Sequence, residues 1–212
     1  MDIVMLAAGT SSRMGKVNKM LLDIDGRPMV CASCIKALEY LESLDEKSSL
    51  IVVTGYRSTA VLKALKPCMS FIKKTDRKLG LKIIKNSLYR DGQFSSVKTG
   101  LAEVEDGKNF FISLADMPRV DCRNYEALAN ELGSYDVVRP FFENQPGHPV
   151  LFSAKMKPLI LAKDNSWSVS RILKTCVEKD KIKELPVSDS SWVFDIDTKE
   201  DFISRNSEPD TV

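Results

Sequence analysis

The sequence predicts an α/β fold in which a mostly parallel sheet is covered by helices on both faces. Apolar runs of strand length alternate with runs of helical period through most of the chain, the pattern of βαβ units. The length of 212 residues is enough for one substantial core and short for two, so a single domain is expected. In such sheets ligands sit beyond the carboxyl ends of the strands. Gly9, after the first strand, and Asp116, after the fourth, both fall at such ends and are expected to meet in space.

The elements follow in order. Residues 3–7 read as the first strand and break into a glycine-, serine- and threonine-rich turn at 9–12. Residues 28–42 read as a helix, with Pro28 suited to its first turn. Strands are expected at 50–54, 81–85, 110–114 and 135–139, and helices at 58–65, 94–104 and 123–132. The 94–104 helix places Val97, Leu101 and Val104 on one face. In the last third, 148–152 and 192–196 look like strands, with a helix at 170–179 between them. The domain is expected to span 1–204, and the polar residues 205–212 to fray.

Composition excludes several function classes. Hydrophobic content of 43% and charged content of 28% are ordinary for a globular protein, and a net charge of +2 makes no case for nucleic acid or an anionic membrane. No apolar stretch approaches the roughly 20 residues of a membrane helix. The first residues lack the parts of a signal peptide, so the cytoplasm is the expected location. Five scattered cysteines read as reduced thiols. Cys31 and Cys34 form a C-x-x-C, but no second pair completes a zinc site, and their i, i+3 spacing suits core packing on one helix face.

The first loop carries the clearest chemistry. A strand entering a polar turn exposes backbone N–H donors, and Arg13, Lys16 and Lys19 follow closely, a combination that suits a polyphosphate. A P-loop is excluded, because five residues separate Gly9 from Gly15 and Val17 follows Lys16; the Gly-x-Gly-x-x-Gly dinucleotide fingerprint is also absent. Asp116 emerges from an apolar run before Met117-Pro118, where it is either a hard ligand for a cation or a turn-capping aspartate. Asp195 and Asp197 alternate with Phe194 and Ile196 and so share a face, while Asp197 could instead cap a last helix with Glu200. His148 is the sole histidine, and no nucleophile motif accompanies it.

Five ordered motifs carry a resemblance: LAAGTSSRMG with Asn18-Lys19, GQFSSVKTGL at 92–101, LADMPRV at 114–120, PGHPVLF at 146–152 and FDIDTKEDF at 194–202. Together they resemble the nucleotidyltransferases of the molybdenum cofactor, the cytidylyltransferases and their guanylyltransferase relatives. The resemblance implies a Rossmann-like, nucleotide-diphospho-sugar transferase-like domain that moves CMP from CTP to the phosphate of molybdopterin. It implies Mg²⁺, or Mn²⁺, on Asp116 and Asp197, with Asp195 the second choice. Arg13, Lys19 and Asp116 would be catalytic. The nucleotide would lie on Leu6, Ala7, Ala8, Gly9, Ser11, Ser12, Arg13, Lys19, Gln93, Ser95, Ser96 and Asp116. Gly147 and His148 would face the acceptor. The Ala8 methyl, where guanylyltransferases tend to have glycine, would favour a pyrimidine. Lys199 departs from the proline usual in the closing motif. A GTP-using enzyme, a sugar- or alcohol-phosphate nucleotidyltransferase, and a non-catalytic cofactor chaperone for a molybdenum hydroxylase client are the alternatives.

Overall fold

The computed structural model describes residues 1–11, 17–75, 78–198 and 200–203. In chain order they form β1 (Asp2–Ala7), a short hairpin of β2 (Asp23–Ile24) and β3 (Arg27–Pro28), α1 (Met29–Glu42), β4 (Ser48–Thr54), α2 (Ser58–Ala64), α3 (Lys66–Ile72) and β5 (Leu79–Lys85). There follow α4 (Gln93–Leu101), β6 (Phe110–Leu114), α5 (Cys122–Asn130), β7 (Val137–Phe142), β8 (Gln145–Pro146), β9 (Val150–Phe152), α6 (Met156–Leu161), α7 (Val169–Thr175) and β10 (Ile182–Pro186).

The main sheet runs in the order β10-β7-β9-β6-β1-β4-β5, with β8 beside β7. Strands β5, β4, β1 and β6 are mutually parallel. β9 enters antiparallel between β6 and β7, and β10 lies parallel to β7 at the edge. The chain moves from β1 outward to β4 and β5, then returns to the other side of β1 with β6. That reversal opens a crevice beyond the carboxyl ends of β1 and β6. The paired ends of β1 and β6, which lead into Gly9 and Asp116, therefore lie side by side.

Side chains alternate between two cores. Ile3, Met5 and Ala7 of β1 pack with Leu50, Val52 and Phe111 in the layer that buries Leu38, Val61 and Leu128 of α1, α2 and α5. Val4 and Leu6 point the other way, to Ile51, Val53, Val97, Leu101, Ile160 and Ile172 beneath α4, α6 and α7. Cys31, Cys34 and Cys68 are fully buried free thiols, and the Cys31 and Cys68 sulfurs lie 3.8 Å apart. Contact with the Cys68 thiol, then burial, push the Cys31 thiol up, away from reactivity. Among the described residues no helix is long and apolar enough to cross a membrane.

Several boundaries differ from expectation. Helix α1 begins at Met29; Pro28 is its extended cap, with ψ 136°, because it also closes the β2–β3 hairpin. Helix α4 stops at Leu101, yet Val104 in the following turn stays 2% exposed. Residues 192–196 are not a strand. Ser190–Trp192 form a 3-10 turn, and the extended residues after it have no ladder partner among the described residues. Their alternation serves a different purpose, since Ile196 is fully buried while its neighbours turn toward the crevice.

Helix α4 rests on the sheet through Gly100. A Cβ there would overlap Val4 Cγ1 and come within 2.9 Å of Val53 Cγ2. A Gly-to-Ala change inside a helix ordinarily stabilises by about 0.5–1 kcal/mol. Gly100→Ala should do the reverse, since overpacking costs about 1–3 kcal/mol. Thermal unfolding should show a lower Tm, by about 2–4 °C for each net kcal/mol lost.

Candidate active site

Asp116 is presented by a turn that α1 holds from both sides. The Ala115 N–H extends the β6 ladder to Leu6 O at 3.1 Å, and the Met117 N–H closes back on Leu114 O. From α1, the Ser33 hydroxyl donates to Ala115 O at 2.9 Å and the Lys36 ammonium to Pro118 O at 2.7 Å. Asp116 does not cap the helix that follows. That task falls to Asp121, whose carboxylate accepts the Arg123 N–H while Asn124 reaches back to Asp121 N. The Asp116 carboxylate therefore faces the crevice. Its Oδ1 is buried with no hydrogen-bond partner among the described residues.

Lys19 arrives from the first loop. Ser11 takes a left-handed conformation, φ 55°, and its hydroxyl oxygen accepts the Lys19 N–H at 3.1 Å. Asn18 caps the Lys19–Leu21 3-10 turn by accepting the Met20 N–H and donates to Tyr56 O. The Lys19 side chain, 10% exposed, lies with Nζ 2.5 Å from both Asp116 Oδ2 and Asp197 Oδ1. Burial alone would lower its pKa, but the Asp116 and Asp197 charges and hydrogen bonds outweigh burial and raise it.

The third contributor to the site is the segment after the Ser190–Trp192 turn. The Ile196 N–H donates to Asp116 O at 3.0 Å, and the buried Ile196 side chain anchors the segment. Beyond it, Thr198 and Asp201 form a reciprocal cap, with the Asp201 N–H on Thr198 Oγ1 and the Thr198 N–H on Asp201 Oδ2. The expected alternative, Asp197 as cap with Glu200, is thus overturned, and the Asp197 side chain is left to the crevice. One oxygen each of Asp116, Asp195 and Asp197 lies within 4.8 Å of the others. Burial, then Asp197 and Asp116, raise the Asp195 pKa. Among the described residues the Lys19 ammonium pairs with two of these three carboxylates, Asp116 and Asp197. Hard oxygen donors and the orphaned Asp116 Oδ1 fit a divalent cation.

The side of the crevice formed by the end of β1 and the start of α4 is more closed. Leu6, Ala7 and Ala8 are buried, so this stretch can offer a ligand little beyond main-chain groups. The Ala8 carbonyl accepts the Tyr56 N–H, and Gly55 is required beside it, since a Cβ there would sit 2.7 Å from Ala8 O and 2.6 Å from Tyr89 Cβ. Gly9 is exposed and faces open space. At the start of α4, Gln93 is exposed but Ser95 and Ser96 are buried. Both hydroxyls accept from Asn86 Nδ2, at 2.8 and 3.0 Å, while Asn86 Oδ1 takes the Leu88 N–H. Sequence reasoning does not single out Asn86, whereas Asn18 stands in the first-loop motif, immediately before the turn it caps. Ser12, Arg13 and Lys16, with residues 204–212, lie outside the described residues.

Gly147 and His148 pack against the Trp192 carbonyl. Gly147 is required because a Cβ would strike the Trp192 carbonyl, which accepts the His148 N–H at 2.8 Å. Burial lowers the His148 pKa, against the Ile112 carbonyl and the Asp116 charge, which raise it. Its Nδ1 is buried without a partner among the described residues, so a neutral imidazole is held near Asp116.

A family model described as "MobA-like NTP transferase domain" matches residues 3–181. The chain belongs to that family. This MobA-like domain is accordingly a nucleotidyltransferase. It is 27% identical over 203 residues to the molybdenum cofactor cytidylyltransferase of Escherichia coli K12, covering 96% of this chain and 94% of that one. Its fold resembles the crystal structure of Rv0371c from Mycobacterium tuberculosis H37Rv, with a TM-score of 0.74 and 20% identity over 98% and 97% of the two chains. The structure of the same mycobacterial protein in complex with manganese gives 0.72 and 18%, over 98% of each chain.

The crowded carboxylates predict a pH signature. Because the folded Asp195 pKa is raised, the folded state binds more protons than the unfolded chain between the ordinary carboxylate range and that raised value. The metal-free protein should therefore lose stability as pH rises through this window, and Asp195→Asn should remove that loss and raise Tm at pH 7. Unfolding curves in EDTA from about pH 4 to 8 measure it; an unaltered pH dependence in the variant would place Asp195 outside the repulsion.

Proposed function

We propose that this MobA-like transferase moves CMP from CTP to the phosphate of molybdopterin, forming molybdopterin cytosine dinucleotide and pyrophosphate. The observation that carries this reading is the Asp116, Asp195 and Asp197 cluster threaded by Lys19 at the β1/β6 crevice. Asp116 and Asp197, with Asp195 beside them, would hold Mg²⁺, or Mn²⁺ in its place, as the manganese complex of the mycobacterial neighbour suggests. When bound, the ion supplies charge neutralisation between the two phosphates.

The chain's own residues do the remaining work. The acceptor phosphate is already an anion at pH 7, so no strong general base is needed, and neutral His148 fits a positioning task. As the acceptor oxygen bonds to the α-phosphorus, the bond from that phosphorus to the bridging oxygen of pyrophosphate breaks. Lys19, kept charged by its carboxylate neighbours, lies where negative charge departs. Main-chain groups at Ala7, Ala8 and Gly9 would hold base and ribose. Ala8 is 6% exposed, so its methyl offers little surface to discriminate bases, and the choice of CTP rests on the E. coli relative. A cofactor chaperone would have no use for three converging carboxylates.

The test combines nucleotide binding and pyrophosphate release. CTP with Mg²⁺ at 100 times its dissociation constant should stabilise by about 2.7 kcal/mol, raising Tm by about 5–11 °C, and EDTA should abolish the shift. Adding molybdopterin should release pyrophosphate, and Asp116→Ala should stop release while the far-ultraviolet spectrum stays native. A shift with GTP alone would make the enzyme a guanylyltransferase; pyrophosphate release that persists in Asp116→Ala would remove Asp116 from the chemistry.

A further inference from the structure

Lys19 and a divalent cation would draw on the same carboxylates. The Lys19 ammonium lies 2.5 Å from Asp116 Oδ2 and 2.5 Å from Asp197 Oδ1, so one oxygen of each is committed to a cation that belongs to the chain. Mg²⁺ draws its oxygen ligands in to about 2.0–2.1 Å. An ion on those two oxygens would collide with the ammonium. An ion on the remaining oxygens, the orphaned Asp116 Oδ1 and Asp195 among them, would still stand against its charge in a site where water screens poorly.

The main chain of Lys19 is fixed, and its side chain is held by the carboxylates alone. Ser11 Oγ accepts the Lys19 N–H and Asn18 Oδ1 the Met20 N–H, each at 3.1 Å, which pins the turn. Among the described residues the ammonium has no hydrogen-bond partner besides Asp116 and Asp197. A lysine carries its charge on a flexible four-carbon stem, so the ammonium can change partners while the turn stays in place. Two residues before Ser11, Gly9 is exposed, and a Cβ there would meet nothing within 4 Å, which leaves room for an arriving anion.

We infer that Lys19 is the built-in counter-ion of the carboxylate cluster and gates its metal site: the divalent cation enters as the ammonium leaves, and the ammonium leaves for the triphosphate. This rests on the reading above that Asp116 and Asp197 hold the ion, and adds how that site is regulated. Metal and triphosphate then bind with positive coupling, each raising the affinity for the other. A free divalent cation brings no anion for Lys19 and is held weakly. The cluster therefore loads with the metal–nucleotide complex and not with metal alone.

Two measurements on the full chain read this exchange. The first needs no substitution: acetylation of Lys19 by an N-hydroxysuccinimide ester, scored by mass spectrometry against exposed Lys66, should be slow in EDTA. It should rise several-fold with saturating Mn²⁺ and fall again when CTP is added. The second is the affinity for Mn²⁺ alone, from the electron paramagnetic resonance signal of the free ion. Lys19→Met should bind Mn²⁺ about ten- to hundredfold tighter than its parent, because a like charge beside the ion is gone, whereas Lys19→Arg should not. Equal Mn²⁺ affinity in Lys19→Met and its parent, or acetylation that ignores Mn²⁺, overturns the gate; the metal reading survives if Asp116→Ala still loses Mn²⁺. Mn²⁺ binding that persists in Asp116→Ala sinks both. If both measurements come out as expected and no nucleotide releases pyrophosphate, the gate is upheld and the transfer reaction falls.

Discussion

An ammonium buried between two carboxylates is stable only when the chain around it fixes all three groups, and here they come from residues 19, 116 and 197. Losing one partner of such a buried set leaves uncompensated charge, at a cost of about 3–5 kcal/mol in fully buried cases and less at sites as partly exposed as Asp197. Each contributor is accordingly tied down by backbone hydrogen bonds of its own: Lys19 through Ser11 and Asn18, Asp116 through the β6 turn, Asp197 through Ile196 and the Thr198–Asp201 cap. The remaining electrostatics follow. Lys19 stays protonated beside its carboxylates, and burial keeps His148 neutral.

The fold makes this convergence inexpensive. A parallel β1–β6 pair with outward chain movement on both sides leaves two strand ends adjacent without any long loop between them. Helix α1 then does double duty, filling one core with Leu38 and Leu41 while Ser33 and Lys36 grip the carbonyls on either side of Asp116. Packing and presentation are the same act, so a helix shift would move the carboxylate.

Much of this was legible beforehand. The parallel strands, the two-sided cover and the pairing of the strands that lead to Gly9 and Asp116 follow from period and topology, because apolar runs of five or so residues bounded by turn residues have few other uses. The burial of Cys31 and Cys34 followed from helical spacing in the same way. The failures were local. The alternation in 192–196 indicates one face correctly but not a ladder, since a single backbone bond to Asp116 replaces strand pairing. Helices α3 and α6 and strand β10 were not read, being short, or interrupted by Pro67 and Pro158, or edge-exposed and mixed in polarity. At the site, Asp195 stood second to Asp197, yet the two lie together with Asp116. Asn86 was missed because its importance is tertiary: it locks two serines from a different element.

The region that the family model recognises ends at residue 181, fourteen residues before the first of the two late carboxylates. The first loop, Asp116 and every strand of the main sheet except β10 precede that point, but the cluster is complete only when the later segment has laid Ile196 into the core. The site is thus a contact between distant parts of the chain: Lys19 and Asp197 stand 178 residues apart in sequence, and their ion pair holds the first loop against the segment that the buried Ile196 anchors.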